Sequence, residues 1–281
     1  MEILIEKTKN VETAIYEIKD RSISSFWGIK DVNLTSYSIL EGTCKICHFC
    51  FSGFMYDESK LYKKLRVQTL VIPFSVKDIV VADIPLSICD IINNSPFFEV
   101  ENKTLFTKGK KELLRCFDFF NKEDYIVPNE VVRIWGDAFH ACRFKRIVIG
   151  SSVKEMGVNP FMNMVRSSIP IILESLSDFF SYDDYGGGLY SYNKELVAYL
   201  GEEFDPQISE GTKSIRNYAF FGSRARNIWL PRSIKGFDLR KYSPMVDLQF
   251  IIPRELKYDY SMLDSHIIDE MSYRYERNRN M

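Results

Sequence analysis

VPNEVVRIWGDAFHACRFKRIVIGSSVKEM, residues 127–156, returns without a gap 81 positions later as ISEGTKSIRNYAFFGSRARNIWLPRSIKGF, residues 208–237. The alignment pairs Ile134 with Ile215, Ala138 with Ala219, Phe139 with Phe220 and Ile147 with Ile228. Self-similarity at a fixed period is the signature of a solenoid or array. A shorter period lies inside the longer one. Val127-Pro128 and Ile149-Gly150, and again Leu230-Pro231 and Ile252-Pro253, are each 22 residues apart, so one coil is 22 residues long. A coil of that size cannot bury its own apolar face, and stacked neighbours must supply the core.

A third copy begins near Ile39. ILEGTCKICHFCFSG matches ISEGTKSIRNYAFFG from Ile208, with Phe51 on Phe220 and Gly53 on Gly222. This alignment bears on Cys44, Cys47, His48 and Cys50, whose close spacing suggests a metal site. A closed zinc site needs four ligands, normally as two separated pairs, and a second pair is missing here. Cys50 falls instead on the small-residue position of Ala138 and Ala219, a role a free cysteine fills well. Cys44 and Cys47 fall on the variable positions of Lys213 and Arg216, and Cys142 falls on that of Ser223. We read these cysteines as structural and expect neither a metal nor a cofactor.

Composition narrows the function classes. Thirty-seven basic against 38 acidic residues give a net charge of −1. No polycation is available to follow nucleic-acid phosphates. An apolar content of 46%, with 21 Phe and 16 Tyr, supplies a core for an ordered fold. The apolar stretches are too short and too interrupted for a transmembrane helix. The start, MEILIEKTKN, lacks the apolar segment and cleavage site of a signal peptide. As the sequence stands the expectation is cytoplasmic, and a removed leader would make it surface or secreted.

The domain reading is a cap over residues 1–34, a solenoid over 35–258 and a C-terminal cap and tail over 259–281. Glu2-Ile3-Leu4-Ile5 alternates like a strand, and Asn10 is placed to cap a short helix over Val11 to Ile18. Leu263, Ile267 and Met271 recur at helical spacing, which predicts a capping helix. Phe97 to Phe117 and Phe179 to Leu200 alternate like hairpin insertions, turning at Lys108-Gly109 and at Tyr192-Asn193. Gly186-Gly187-Gly188 is a turn, since the Lys-Ser/Thr of a phosphate loop does not follow it.

The spans at residues 126–161 and 208–237 resemble BspA-type leucine-rich repeats, whose pattern runs Ile-Pro-x-x-Val-x-x-Ile-x-x-x-Ala-Phe-x-x-Cys-x-x-Leu-x-x-Ile-x-Ile-Pro. The resemblance covers residues 36–257. It implies a curved, right-handed, β-rich leucine-rich-repeat solenoid with a parallel sheet on one face. It further implies a role like that of family members, commonly bacterial surface or secreted proteins that bind host or partner macromolecules. The chain departs from the pattern where Gly150 replaces the strand-ending Pro, and where eleven extra residues separate Phe51 from Pro73.

Period-two alternation in each strand ending at the Ile-Pro step sends Ile147 and Ile149 inward and Val148 outward. The equivalent outward residues are Val71, Ile126, Trp229 and Ile251, flanked by Thr69, Arg146, Asn227 and Gln249. Two readings stand. Either this row is a partner-binding face, since Trp and Arg dominate binding hot spots, or β-branched residues sit there because strands favour them. Catalysis has little to draw on. His48, His140 and His266 occupy no position shared between repeats, and Asp183-Asp184 and Glu202-Glu203 supply too few oxygens for calcium. The sequence therefore reads as a non-enzymatic repeat protein binding a protein or glycan partner. The alternative is a scaffold that self-associates through its solenoid ends as a homo-oligomer.

Overall fold

The computed structural model describes residues 2–8, 11–19, 22–29, 34–46, 67–81, 84, 86–164, 172–234, 248–253 and 267–269. The chain forms two compact units, Met1–Phe119 and Phe120–Met281. Both are stretches of β-solenoid with almost no helix among the described residues.

The first unit opens with an antiparallel meander of β1 (Glu2–Thr8), β2 (Val11–Lys19) and β3 (Ser22–Ile29). The helix expected over Val11 to Ile18 is therefore a strand. Ala14 and Tyr16 are both fully buried, so the apolar residues share a face at period two rather than at helical spacing. Coils follow through β4 (Ser36–Ser38), β5 (Lys45–Ile46), β6 (Thr69–Ile72), β7 (Asp78–Ile79) and β8 (Asp90–Asn93). Alternate strands stack in parallel into two sheets, β4-β6-β8 on one side and β3-β5-β7 on the other. Buried Leu70, Ile72, Ile46 and Ile79 fill the space their alternation assigns to the core. The insertion is a three-stranded meander of β9 (Phe98–Glu101), β10 (Thr104–Thr107) and β11 (Glu112–Cys116). It has the expected turn at Lys108–Lys110 and an earlier one at Asn102-Lys103, where both residues have positive φ.

The second unit repeats this plan. Its strands are β12 (Asp124–Ile126), β13 (Arg133–Ile134), β14 (Arg146–Ile149), β15 (Glu155–Met156) and β16 (Ile172–Ser175). After them come the meander β17 (Phe180–Tyr182), β18 (Gly188–Ser191) and β19 (Glu195–Tyr199), and then β20 (Ser214–Ile215), β21 (Asn227–Trp229), β22 (Gln249–Ile252) and β23 (Ile267–Asp269). Two of its sheets, β12-β14-β16 and β21-β22-β23, are parallel throughout. Ile267, expected in a helix, lies in β23, because its backbone pairs in parallel register with Phe250; Leu263 and Met271 lie outside the described residues.

The Ala-Phe positions behave as the repeat requires. Ala138 and Ala219 are fully buried, and Phe139 stacks on Phe161 at 5.5 Å and meets Tyr125 edge-on at 5.1 Å. Cys142 is buried and Cys44 is exposed, while Cys47, His48, Cys50 and Phe51 lie outside the described residues.

Each insertion leaves its coil by the same device. The side chain of Asn93 or Ser175 hydrogen-bonds the carbonyl of Phe98 or Phe180. Two residues on, a buried serine, Ser95 or Ser177, donates to a carbonyl of the preceding coil, Val76 or Val153, and accepts from the amide of Phe97 or Phe179. Each insertion also returns alike, through Lys111-Glu112-Leu113 and Lys194-Glu195-Leu196. Strand β19 runs parallel to β20, so the last strand of the meander fills a coil's place in the sheet. Arg216 fastens it there. Its guanidinium donates to the carbonyls of Met156 (2.7 Å) and Gly157 (3.1 Å) and pairs with Glu195.

Candidate binding surface

Within each of three separate sheets, the strands that carry the outward residues lie side by side with their neighbours in register. In β12-β14-β16, Asp124, Arg146 and Ile172 form one rung, and Ile126, Val148 and Glu174 form another. In β21-β22-β23 the rungs are Asn227 with Gln249, and Trp229 with Ile251 and Ile268. In the first unit, Val71 stands between Ser38 and Ile92, and Thr69 between Ser36 and Asp90.

Exposure along these rungs is uneven. Ile126 is 69% exposed and Ile172 49%, whereas Val148 is 6% and Ile251 1% exposed. The expected outward row is thus covered at Val148 and Ile251. Both sit in the central strand of three, flanked in register on each side, while Ile126 belongs to an edge strand. Val71 is central too, but its neighbour Ser38 is small and it stays half-exposed, as does Trp229.

The polar residues beside this row are engaged with one another. Arg146 donates to Asp124 (3.3 Å) and pairs with Glu174, and these two carboxylates hold its proton more firmly than usual. Asn227 Nδ2 donates to Asp205 at 2.6 Å. Arg146 therefore presents a charge already shared by two acids. Gln249 is half-buried at the next position of its rung.

Ile92 shares the first unit's sheet with Val71, and Ile172 and Glu174 share the second unit's sheet with Ile126 and Val148; sequence reasoning missed all three. Their strands end in Asn93 and Ser175 rather than proline. Glu174 follows Val148 by 26 residues and Ile92 follows Val71 by 21, so neither keeps the 22-residue step. The signal that could have found them is the apolar pair within CDIIN and within IILES. His140 lies away from these strands, with its ring in hydrogen-bond contact with Asn163 at 2.9 Å. Among the described residues no three His, Cys, Asp or Glu converge to hold a metal ion, and no helix is long and apolar enough to cross a membrane.

Residues 114–183 match the family model of the BspA type leucine rich repeat region. A leucine rich cell surface protein from Faecalibacterium prausnitzii A2-165 is similar in structure, with a TM-score of 0.50 and 20% identity over 78% of this chain and 59% of that one. A leucine-rich repeat protein from Eubacterium ventriosum ATCC 27560 (TM-score 0.45, 15% identity, 71% and 55% covered) is a further similar structure. So is the pneumococcal vaccine antigen PcpA (0.47, 15%, 84% and 66%). The chain spans less than two thirds of the length of each of these proteins. No curated protein matches the sequence. The repeat periods and the parallel stacking of short strands agree with the match at 114–183, where the chain is similar to the BspA type leucine rich repeat region.

Proposed function

We propose that this is a non-catalytic binding protein whose second unit engages a protein partner through the sheet face of β12-β14-β16 and β21-β22-β23. The observation that carries this reading is the exposure of Ile126 and Ile172 on a sheet whose charged residues Asp124, Arg146 and Glu174 are bonded to one another. Apolar side chains left in water on both edge strands of one sheet, with a half-buried Trp229 on the other, have the composition of an interface centre. Arg146, Asn227 and Gln249 form the rim of such a face, and Val148 and Ile251 its supporting layer; Val71 holds the corresponding position on the first unit's own sheet. In the same reading residues 1–34 and 259–281 cap a solenoid over 35–258, and the protein works at the cell surface or outside it. The similar Faecalibacterium protein is a cell surface protein, which supports that location.

The test uses immobilised wild type alongside Ile126→Glu and Trp229→Ala, with light scattering to follow oligomer size. Ile126 is the right position for a charge because it is exposed, whereas a charge at Ile251 would unfold the core. A partner retained by wild type and lost by both variants supports the reading. Retention by both variants would overturn it. A change confined to oligomer size would point instead to self-association.

A further inference from the structure

The sheet that carries Trp229 extends one rung further than its strands. Residues 204–207 form no strand of their own, yet they lie along β21 as a strand would. The Asn227 amide donates to the Phe204 carbonyl at 3.1 Å, the Trp229 amide to the Pro206 carbonyl at 2.9 Å, and the Ile208 amide to the Trp229 carbonyl at 3.0 Å. Gln207 and Trp229 meet as a parallel bridge. Alternation holds here too, since Pro206 and Ile208 are buried while Gln207 is exposed and Asp205 half-buried.

This extra rung gathers four polar side chains around one indole. Gln207 stands beside Trp229, and Asn227 has Asp205 on one side and Gln249 on the other. Asn227 and Trp229 are two residues apart on one strand, so they share a face. The bond from Asn227 Nδ2 to Asp205 Oδ1, at 2.6 Å, orients that amide with its own oxygen away from the carboxylate. On its other strand neighbour Trp229 has Ile251, which is buried, so the indole is backed by an apolar residue on one side and an amide on the other. No lysine or arginine falls on either rung.

An aromatic ring set among three amides and one carboxylate, without a cation, is complementary to a sugar. One face of a pyranose carries C–H bonds that pack on an indole, and its rim carries hydroxyls that each donate and accept. Amides offer both roles in return, and a carboxylate is a strong acceptor. An anionic ligand would be repelled by Asp205. A purely apolar anchor over Trp229 would cover Gln207 and Asn227 without bonding them.

We propose that Trp229, Gln207, Asn227, Asp205 and Gln249 bind a neutral sugar chain carried by the partner protein. The inference rests on the reading of the sheet face as a binding surface and divides its work: Trp229 and its neighbours read sugar, whereas Ile126 and Ile172 contact protein.

The experiment titrates the full chain by calorimetry with mannohexaose, cellohexaose and galactohexaose, and with hexagalacturonate as an anionic control. At least one neutral hexasaccharide should bind wild type, and hexagalacturonate should not. Gln207→Ala changes an exposed side chain and keeps the fold; it should weaken the binding about fivefold, the equivalent of one hydrogen bond. Trp229→Ala should weaken it about tenfold or more, and Trp229→Phe, which keeps an aromatic face, should weaken it less. Ile126→Glu should bind the sugar as wild type does. Failure of all three neutral sugars to bind, or unchanged binding by Gln207→Ala and Trp229→Ala, would overturn the sugar site. A partner whose capture needs Ile126 and Trp229 but survives enzymatic removal of its glycans would also overturn it, while leaving the sheet face standing.

Discussion

At the scale of single residues, the repeat is held by a few side chains that fill one position again and again. Phe139 touches Phe161, Tyr125 and Phe144 within the core. Truncating such a ring loses its transfer energy and leaves a cavity, so Phe139→Ala should cost about 3–5 kcal/mol in urea denaturation. Asp183 offers a pH test. Burial alone would raise its pKa, but the bonds from Gly186, Ser209 and Tyr185 outweigh that and lower it from 3.8. A depressed native pKa stabilises the fold above the unfolded value, and that contribution is lost as pH falls through the native one. Wild type should therefore lose melting temperature below about pH 4 more steeply than Asp183→Asn, which lacks the contribution throughout; parallel curves would sink the assignment. The Ala-Phe positions were legible in the sequence because large and small apolar residues recur at fixed offsets. Ser95 and Ser177 were not, because a serine before a turn looks the same whether it faces water or a carbonyl of another coil.

At the scale of elements, glycine marks where two backbones touch. Gly157 packs on Gly136, and Gly136 has the Val158 carbonyl 2.8 Å from where its side chain would begin. Gly157→Ala should destabilise the second unit by more than the usual 1 kcal/mol or so for a glycine replacement, visible as a fall in the urea midpoint. Ser177→Ala should cost about 1–3 kcal/mol, because it strands the Val153 carbonyl. Both insertions were legible as alternating strands around turn residues. The two terminal helices were misread for one shared reason. Over eight or nine residues, apolar side chains at mixed spacing fit either period, and what decides is the neighbouring strand: β1 beside β2, and β22 beside β23. The outward row was legible in alternation but not in exposure, since burial at Val148 and Ile251 depends on strands either side that sequence spacing does not rank.

At the scale of the molecule, stability is distributed along coils that each lean on the next. Cysteine labelling can read this directly. Cys44 is exposed, while Cys116 and Cys142 are buried. Iodoacetamide should modify Cys44 in the native protein and reach Cys142 only at denaturant concentrations that open its coil. Modification of Cys142 at the rate of Cys44 in buffer would contradict the core position assigned to it. The paired serine hooks, Ser95 and Ser177, carry a consequence of a different kind. They fix where each insertion leaves its coil, and Lys111-Glu112-Leu113 and Lys194-Glu195-Leu196 fix where it returns. Between those anchors, the tips at 108–110 and 192–193 face outward. Divergence among descendants of a duplicated ancestor is free to accumulate at the tips, while the anchors must be inherited together, so each insertion is a frame for variable display.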